Sequence, residues 1–334
     1  MLRGKKWIFL WVFLSLVLVV IVILIALIVW FARHEGLHGE NFRSTQGVEG
    51  EHITEYPEDH FEAMPGDESN PVSDSELMDA PTSDSMNESA EGVVSRENPF
   101  TDSQLLQYAG NAYYSIFFFS SEEEFFNEES PKMPAASVIK VFIMQYTYSL
   151  VEAGELSLND SIGGQNISNL IHAMIRWSDN DATNILIDYL GMDSINQYLY
   201  QQGFTSTVLQ RRMLDMEARA LGLDNFTSTA DVMNFLNRLY HNRMSFPYNE
   251  MLDIMLGQEI NTKIPLFLPA SAQVANKTGE LPDVENDMGL VFTEEFAFAI
   301  VVLTSEVRNT YAIRQAIGEL ARSAYDYALY ETTQ

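Results

Sequence analysis

Three short stretches of this chain hold residues that can make a nucleophile and use it. In the first, Pro134-Ala135-Ala136-Ser137-Val138-Ile139-Lys140, a proline-marked turn runs into an apolar helix. Residues three apart share a helix face, so the spacing puts the Lys140 amine beside the Ser137 hydroxyl. A lysine desolvated there can act as a base and activate the serine. The backbone N–H of Ser137, unpaired at a helix N-terminus, can point at a developing oxyanion. In the second, Trp177-Ser178-Asp179-Asn180-Asp181, the serine can relay a proton and the asparagine can offer an amide to a substrate. Alone, that tripeptide also reads as a helix N-cap. In the third, Val274-Ala275-Asn276-Lys277-Thr278-Gly279-Glu280, the lysine and hydroxyl can hold a substrate carboxylate. Gly279 removes a side chain, so the strand can lie along a peptide-like substrate. Alone, Lys277-Thr278-Gly279 is equally a strand-to-turn signal.

These stretches need elements to hold them. Residues 112–120 are aromatic and β-rich, a buried strand, and Phe125 and Phe126 mark a short second one. Helical patterns follow at 137–153 with Gly154 as the stop, at 166–177, 181–190, 193–202 and 229–241. A strand is predicted at 271–277, with the third stretch at its end. Strands at 287–292 and 296–305 form a hairpin, and a helix at 311–330 closes the chain. Strands at both ends with helices between them predict an α/β (α+β) domain: an antiparallel sheet built from the two ends, packed by helices, with an inserted all-helical lobe.

Ser-x-x-Lys, Ser-Asp-Asn and Lys-Thr-Gly occur once each, in that order, on helix, junction and strand. From residue 101 to the end the chain resembles the class A β-lactamases and penicillin-binding proteins, whose signature set this is. The resemblance implies that Ser137 is the acylated nucleophile and Lys140 its base. Ser178 would pass a proton to the leaving nitrogen, and Asn180 would bind the substrate's side-chain amide. Lys277 and Thr278 would hold the carboxylate, and the backbone N–H groups of Ser137 and Glu280 would form the oxyanion hole. Asp179 would fix its loop by hydrogen bonds. Class A enzymes also carry a glutamate, with an asparagine four residues on, that holds the deacylating water. In the matching stretch, 212–228, Glu217 is the placeable candidate, but position 221 is Leu. Glu217 is equally a helix-surface acid paired with Arg211, Arg212 or Arg219.

The 334 residues carry a formal charge of −28 and no cysteine. Disulfides and thiolate chemistry are excluded, and the acidity argues against nucleic acid as a partner. Residues 7–32 are apolar throughout, long enough to span a bilayer, behind a basic N-terminus at 1–6. The larger basic cluster places 1–6 in the cytoplasm and the rest outside. Residues 33–100 read as a disordered acidic stalk; Glu35 to Asp102 holds eighteen acids against Arg43 and Arg96. His34, His38, His52 and His60 have no ligand-like spacing, His172 lies on a helix, and no metal site or cofactor is implied. Three functions are expected to compete. The first is a membrane-anchored, extracytoplasmic bacterial serine hydrolase of the class A β-lactamase type. The second is a D-Ala-D-Ala carboxypeptidase or slow penicillin-binding protein, favoured by the weak deacylation loop. The third is a non-catalytic wall-peptide binding module. The expected partner is a β-lactam or a small molecule like a peptidoglycan stem peptide.

Overall fold

The computed structural model describes residues 97–334. The apolar run at 7–32 and the acidic stretch up to residue 96 lie outside the described residues. Packing begins a little before the predicted boundary. Asn98 donates to the Tyr114 hydroxyl at 2.9 Å and to the Phe126 carbonyl at 3.0 Å. Phe100 is buried, with its ring centroid 5.6 Å from both Phe125 and Tyr327. An aromatic side chain of that size finds its place in the core whatever the acidity of its neighbours.

In chain order, α1 (Ser103–Tyr108) leads into β1 (Asn111–Phe118) and β2 (Glu123–Phe126). β3 (Met133–Pro134) and a 3-10 turn (Ala136–Val138) feed α2 (Ile139–Glu152). A ribbon of β4 (Ser161–Ile162) and β5 (Gln165–Asn166) precedes α3 (Ile167–Arg176), α4 (Asn180–Leu190) and α5 (Met192–Gln201). The next loop carries α6 (Met216–Ala220) and β6 (Phe226–Thr227), and α7 (Thr229–Asn242) and α8 (Tyr248–Leu256) follow. A 3-10 turn (Ile264–Phe267) leads to β7 (Gln273–Leu281), β8 (Val284–Phe292), β9 (Ala297–Ser305) and α9 (Thr310–Thr332).

The main sheet runs β2-β1-β9-β8-β7 and is antiparallel throughout, so it is assembled from both ends of the domain. Successive strand residues face opposite sides. On β9, Phe298, Ile300 and Val302 pack with Ile313 and Ile317 of α9, while Ala299, Val301 and Leu303 join the core under the helical lobe. Helices cover both faces, which is why β9 reads as an unbroken apolar run.

Inside the lobe, α2 is buried over most of its length. Phe142 packs its ring 5.0 Å from Phe204 and 5.7 Å from Phe235. Burial of a side chain of this kind stabilises by about 2 kcal/mol. Lys140 shares the burial, at 0% exposure, as the second residue of that helix.

The structure corrects four expectations. The α-helix starts at Ile139, and Ser137 sits in the 3-10 turn before it. Lys277-Thr278-Gly279 lies inside β7, whose strand runs on to Leu281. Pro282 and Asp283 then turn it directly into β8 in an unanticipated hairpin. The polar run from Glu280 to Asp287 looks like a loop because its partners, Lys263 and Arg314, lie elsewhere in the chain. Helix α8 was not anticipated either; Met251, Ile254 and Met255 bury its inner face.

Candidate active site

The three chemistry-bearing stretches meet in one cleft of about 260 Å³, lined by Ser137, Ser178, Asn180, Thr278 and Glu280 among others. The turn that carries Ser137 is held from three sides. Asn286 on β8 donates to the carbonyls of Pro134 at 2.8 Å and Ala135 at 3.3 Å. The Ala135 N–H donates to Asn225 O at 2.8 Å, and β3 pairs with β6. The third side is Gly279. A Cβ there would lie 2.8 Å from Ala135 O and 3.2 Å from Ser137 N, so the edge strand approaches the Ser137 backbone as closely as an absent side chain permits.

Ser178 sits in the three-residue junction, Trp177 to Asp179, between α3 and α4. Asp179 caps α4 by accepting from the Ala182 N–H at 2.7 Å, which holds the junction as expected of it. The Ser178 backbone has φ +56°, a conformation that costs a non-glycine residue about 1–2 kcal/mol. Ala136 at φ +47° and Leu214 at φ +64° also line the cleft. Three of the five non-glycine residues with positive φ among the described residues line this one cavity, which makes it a candidate functional site without reference to any motif.

The polar network on the cleft floor is dense. Lys140 Nζ donates to Ser178 O at 2.7 Å, to Ser178 Oγ at 3.2 Å and to Asn180 Oδ1 at 2.9 Å. These are the three bonds an ammonium can donate. Lys277 Nζ donates to Ser178 Oγ at 3.0 Å and to its neighbour's carbonyl, Thr278 O, at 2.7 Å. Ser178 Oγ therefore accepts from both amines, and its own proton is left to donate into the cleft. Burial lowers the Lys140 pKa to about 7, against a smaller upward pull from Asp179. Burial also pushes Lys277 well below the ordinary lysine range, helped by the positive charge of Lys140, while Asp287 works the other way. Two ammoniums on one hydroxyl repel each other, so one proton is readily given up.

The outer wall is different. Arg211, Met213 and Leu214 line it. Asn184, one turn beyond Asn180 on α4, clamps the Met213 backbone at both groups: its Oδ1 accepts from Met213 N at 2.8 Å and its Nδ2 donates to Met213 O at 3.2 Å. Arg211 and Arg219 both bind Asp224, at 2.8 and 2.9 Å, and Arg219 also reaches Asp283 in the β7–β8 turn. Glu217 is not brought to the cleft. It is exposed in the first turn of α6, and the three arginines offered as its partners are engaged by Asp224, Asp283 and, for Arg212, Asp188 at 2.9 Å. Among the described residues that line the cleft, Glu280 is the sole carboxylate, and it is bound by Lys263 at 2.8 Å and Arg314 at 3.1 Å.

Sequence reasoning missed Asn184, Met213, Lys263 and Asn286. Asn184 could have been found, since it stands one helical turn after Asn180 and so on the same face. Nothing in the sequence distinguishes the other three.

Fold and site together define a serine acyl-transfer architecture: an antiparallel sheet with a helical lobe, and a cleft lined by Ser137 in which two buried lysines converge on Ser178. A family model described as the beta-lactamase enzyme family matches residues 102–328, and the chain belongs to that family. A beta-lactamase of Bacteroides uniformis is 28% identical over 174 residues, which are 47% of this chain and 58% of that relative. The match thus spans less than two thirds of the relative's length. The beta-lactamase structure from Sphaerobacter thermophilus aligns with a TM-score of 0.61 at 24% identity, covering 69% of this chain and 98% of that one. The structure of PBP-A aligns with a TM-score of 0.60 at 24% identity, covering 68% and 94%; a variant of PBP-A is known as an acyl-enzyme complex with penicillin G. At these identities the structural likeness speaks for the fold.

Proposed function

We propose that this protein is a membrane-tethered serine enzyme that is acylated at Ser137 by β-lactams and by D-Ala-D-Ala-like peptides, and that it releases the acyl group slowly, in the manner of a penicillin-binding protein. The observation that carries the reading is the position of Ser178 Oγ, 3.2 Å from Lys140 Nζ and 3.0 Å from Lys277 Nζ, in the cleft that Ser137 lines. In its neutral form Lys140 takes the Ser137 proton as Oγ attacks the carbonyl. The N–H groups of Ser137 and Glu280 receive the oxyanion. As the C–N bond breaks, Ser178 gives its proton to the leaving nitrogen and is reprotonated from Lys140. The amine thereby returns to its starting state. Lys277 and Thr278 orient a carboxylate on the substrate, and Asn180 its side-chain amide.

Hydrolysis of the acyl-enzyme needs a second base to activate water. Among the described residues, the loop from Arg211 to Asp224 adds no carboxylate to the cleft lining, and Glu280 is held by two cations. That favours slow release over the fast turnover of a β-lactamase, the reading that the family as a whole would suggest. Tethering rests on the apolar run at 7–32 and puts the domain outside the cell. The test is mass spectrometry of the full-length protein with a penicillin, followed over time. A Ser137 adduct lasting many minutes and absent from Ser137→Ala is expected; an adduct gone within seconds restores the β-lactamase reading, and no adduct removes both.

A further inference from the structure

The acid that lines the cleft has a second property. Glu280 stands two residues beyond Thr278 on β7, and residues two apart on a strand share a face. Its side chain is 40% exposed and opens on the cleft, yet both oxygens are engaged: Oε1 with Lys263 Nζ at 2.8 Å, Oε2 with Arg314 Nη2 at 3.1 Å. Neither cation is a surface group reaching for any partner. Lys263 is fully buried and also binds Glu285 at 2.9 Å; Arg314 binds the same Glu285 through two nitrogens, at 2.7 and 3.0 Å. Glu285 alone would serve both. Glu280 is a second carboxylate on the same cations, on the side where a ligand arrives.

We infer that Glu280 is a specificity-determining residue: its carboxylate already fills part of the cationic subsite beside Thr278, and so weakens the preference of the cleft for acyl donors that carry a carboxylate next to the leaving nitrogen. This rests on the acylation reading above and says which donors it concerns. A donor carboxylate received by Lys277 and Thr278 lies within one strand repeat of the Glu280 carboxylate, at roughly 7 Å, where Glu280 opposes it and also takes up the charge of Lys263 and Arg314 that would otherwise attract it. A donor whose carboxyl is esterified or amidated meets no such repulsion. The site therefore accepts neutral donors alongside anionic ones, and loss of the Glu280 charge turns it into one that demands the carboxylate.

The experiment compares acylation of the full-length protein by a penicillin and by its methyl ester, as the ratio of the two rates. Glu280→Gln should raise the acid-to-ester ratio tenfold or more, and Glu280→Asp, which keeps the charge, should leave it near the wild-type value. A side-chain change that merely disturbs the backbone N–H would move both rates together and cancel in the ratio. An independent measurement needs no variant: N-acyl-D-alanine and its amide should protect the wild-type protein from labelling at similar concentrations. A ratio unmoved in Glu280→Gln, an equal shift in Glu280→Asp, or a tenfold advantage of the acid over its amide in wild type overturns the inference and leaves the acylation reading standing. No labelling of Ser137 by either donor overturns both.

Discussion

On the floor of the cleft, every amine has its acceptors: Lys140 makes three hydrogen bonds, Lys277 two, and both converge on Ser178 Oγ. On the outer wall, the loop from Arg211 to Asp224 is tied down as firmly, by Asn184 on the Met213 backbone and by Asp224 on two arginines. Yet what it adds to the same lining is Arg211, a nearly buried Met213 that also packs in the lobe's core, and an exposed Leu214. Both regions are well held, and only the floor carries amines whose burial makes them ready to give up a proton. On the proposed reading, forming an acyl-enzyme and destroying it are separate tasks that fall to separate segments of the chain, and a loop can be rigid without supplying a base.

The sharpest way to break this contrast is at Lys140. Lys140→Arg keeps the charge and forbids the neutral form, so acylation should fall by about 10²–10⁴-fold, the usual worth of a general base. Stopped-flow labelling measures it, and a loss below tenfold would move the base to Lys277. On the wall, Met213→Glu should place a carboxylate beside the ester. Adduct lifetime should then shorten by about a hundredfold, within the range of general-base catalysis, while Glu217→Gln leaves it within twofold of wild type. A lifetime set by Glu217 would overturn the assignment of the wall. Gly279→Ala forces a methyl to within 2.8 Å of Ala135 O, so the strand must back away from Ser137. Acylation should slow by about tenfold, since small displacements of an oxyanion donor weaken it sharply, with no change in lifetime.

The pH profile gives a finer test. Lys140 must be neutral to accept the Ser137 proton, and its pKa is lowered to about 7. Acylation should climb with pH through about 7 and level off above it, because the base is protonated on the acid side. A profile still climbing at pH 9 would mean that this amine is not the base. The smallest effect is structural: Asn184→Ala removes both hydrogen bonds to Met213, at about 1 kcal/mol each. Thermal melting should drop by several degrees while the acylation rate stays close to wild type.

Much of this was legible in the chain. Ser137, Lys140, Ser178, Asn180, Lys277 and Thr278 could be named because short-range spacing and helix–junction–strand context carry them, and the structure brings them to one cleft or its floor. That the antiparallel sheet is built from both ends of the domain followed from apolar strands at both ends. The polar stretch of β7 and β8 was not legible: Glu280, Glu285 and Asp287 look like loop residues until Lys263 and Arg314 arrive from 17 or more positions away to pair with or face them. Met213 was illegible for another reason. A methionine in a loop carries no periodic signal, and its place is dictated by Asn184, whose hydrogen bonds reach the Met213 backbone and would hold any side chain there.

The buried amines of the floor have a consequence for how ligands arrive. Residues 97–334 carry 31 acids against 13 lysines and arginines, while the buried amines Lys140 and Lys277 meet at Ser178 and together keep part of a positive charge there. An anionic molecule drifting in from solution is first turned away by the envelope and then drawn in over the last few ångströms. Dissolved ions mute the outer field beyond a Debye length of about 10 Å at 0.1 M and leave the desolvated interior nearly untouched. Moderate salt should thus hasten capture of an anion by this molecule, the reverse of what an electropositive enzyme would do.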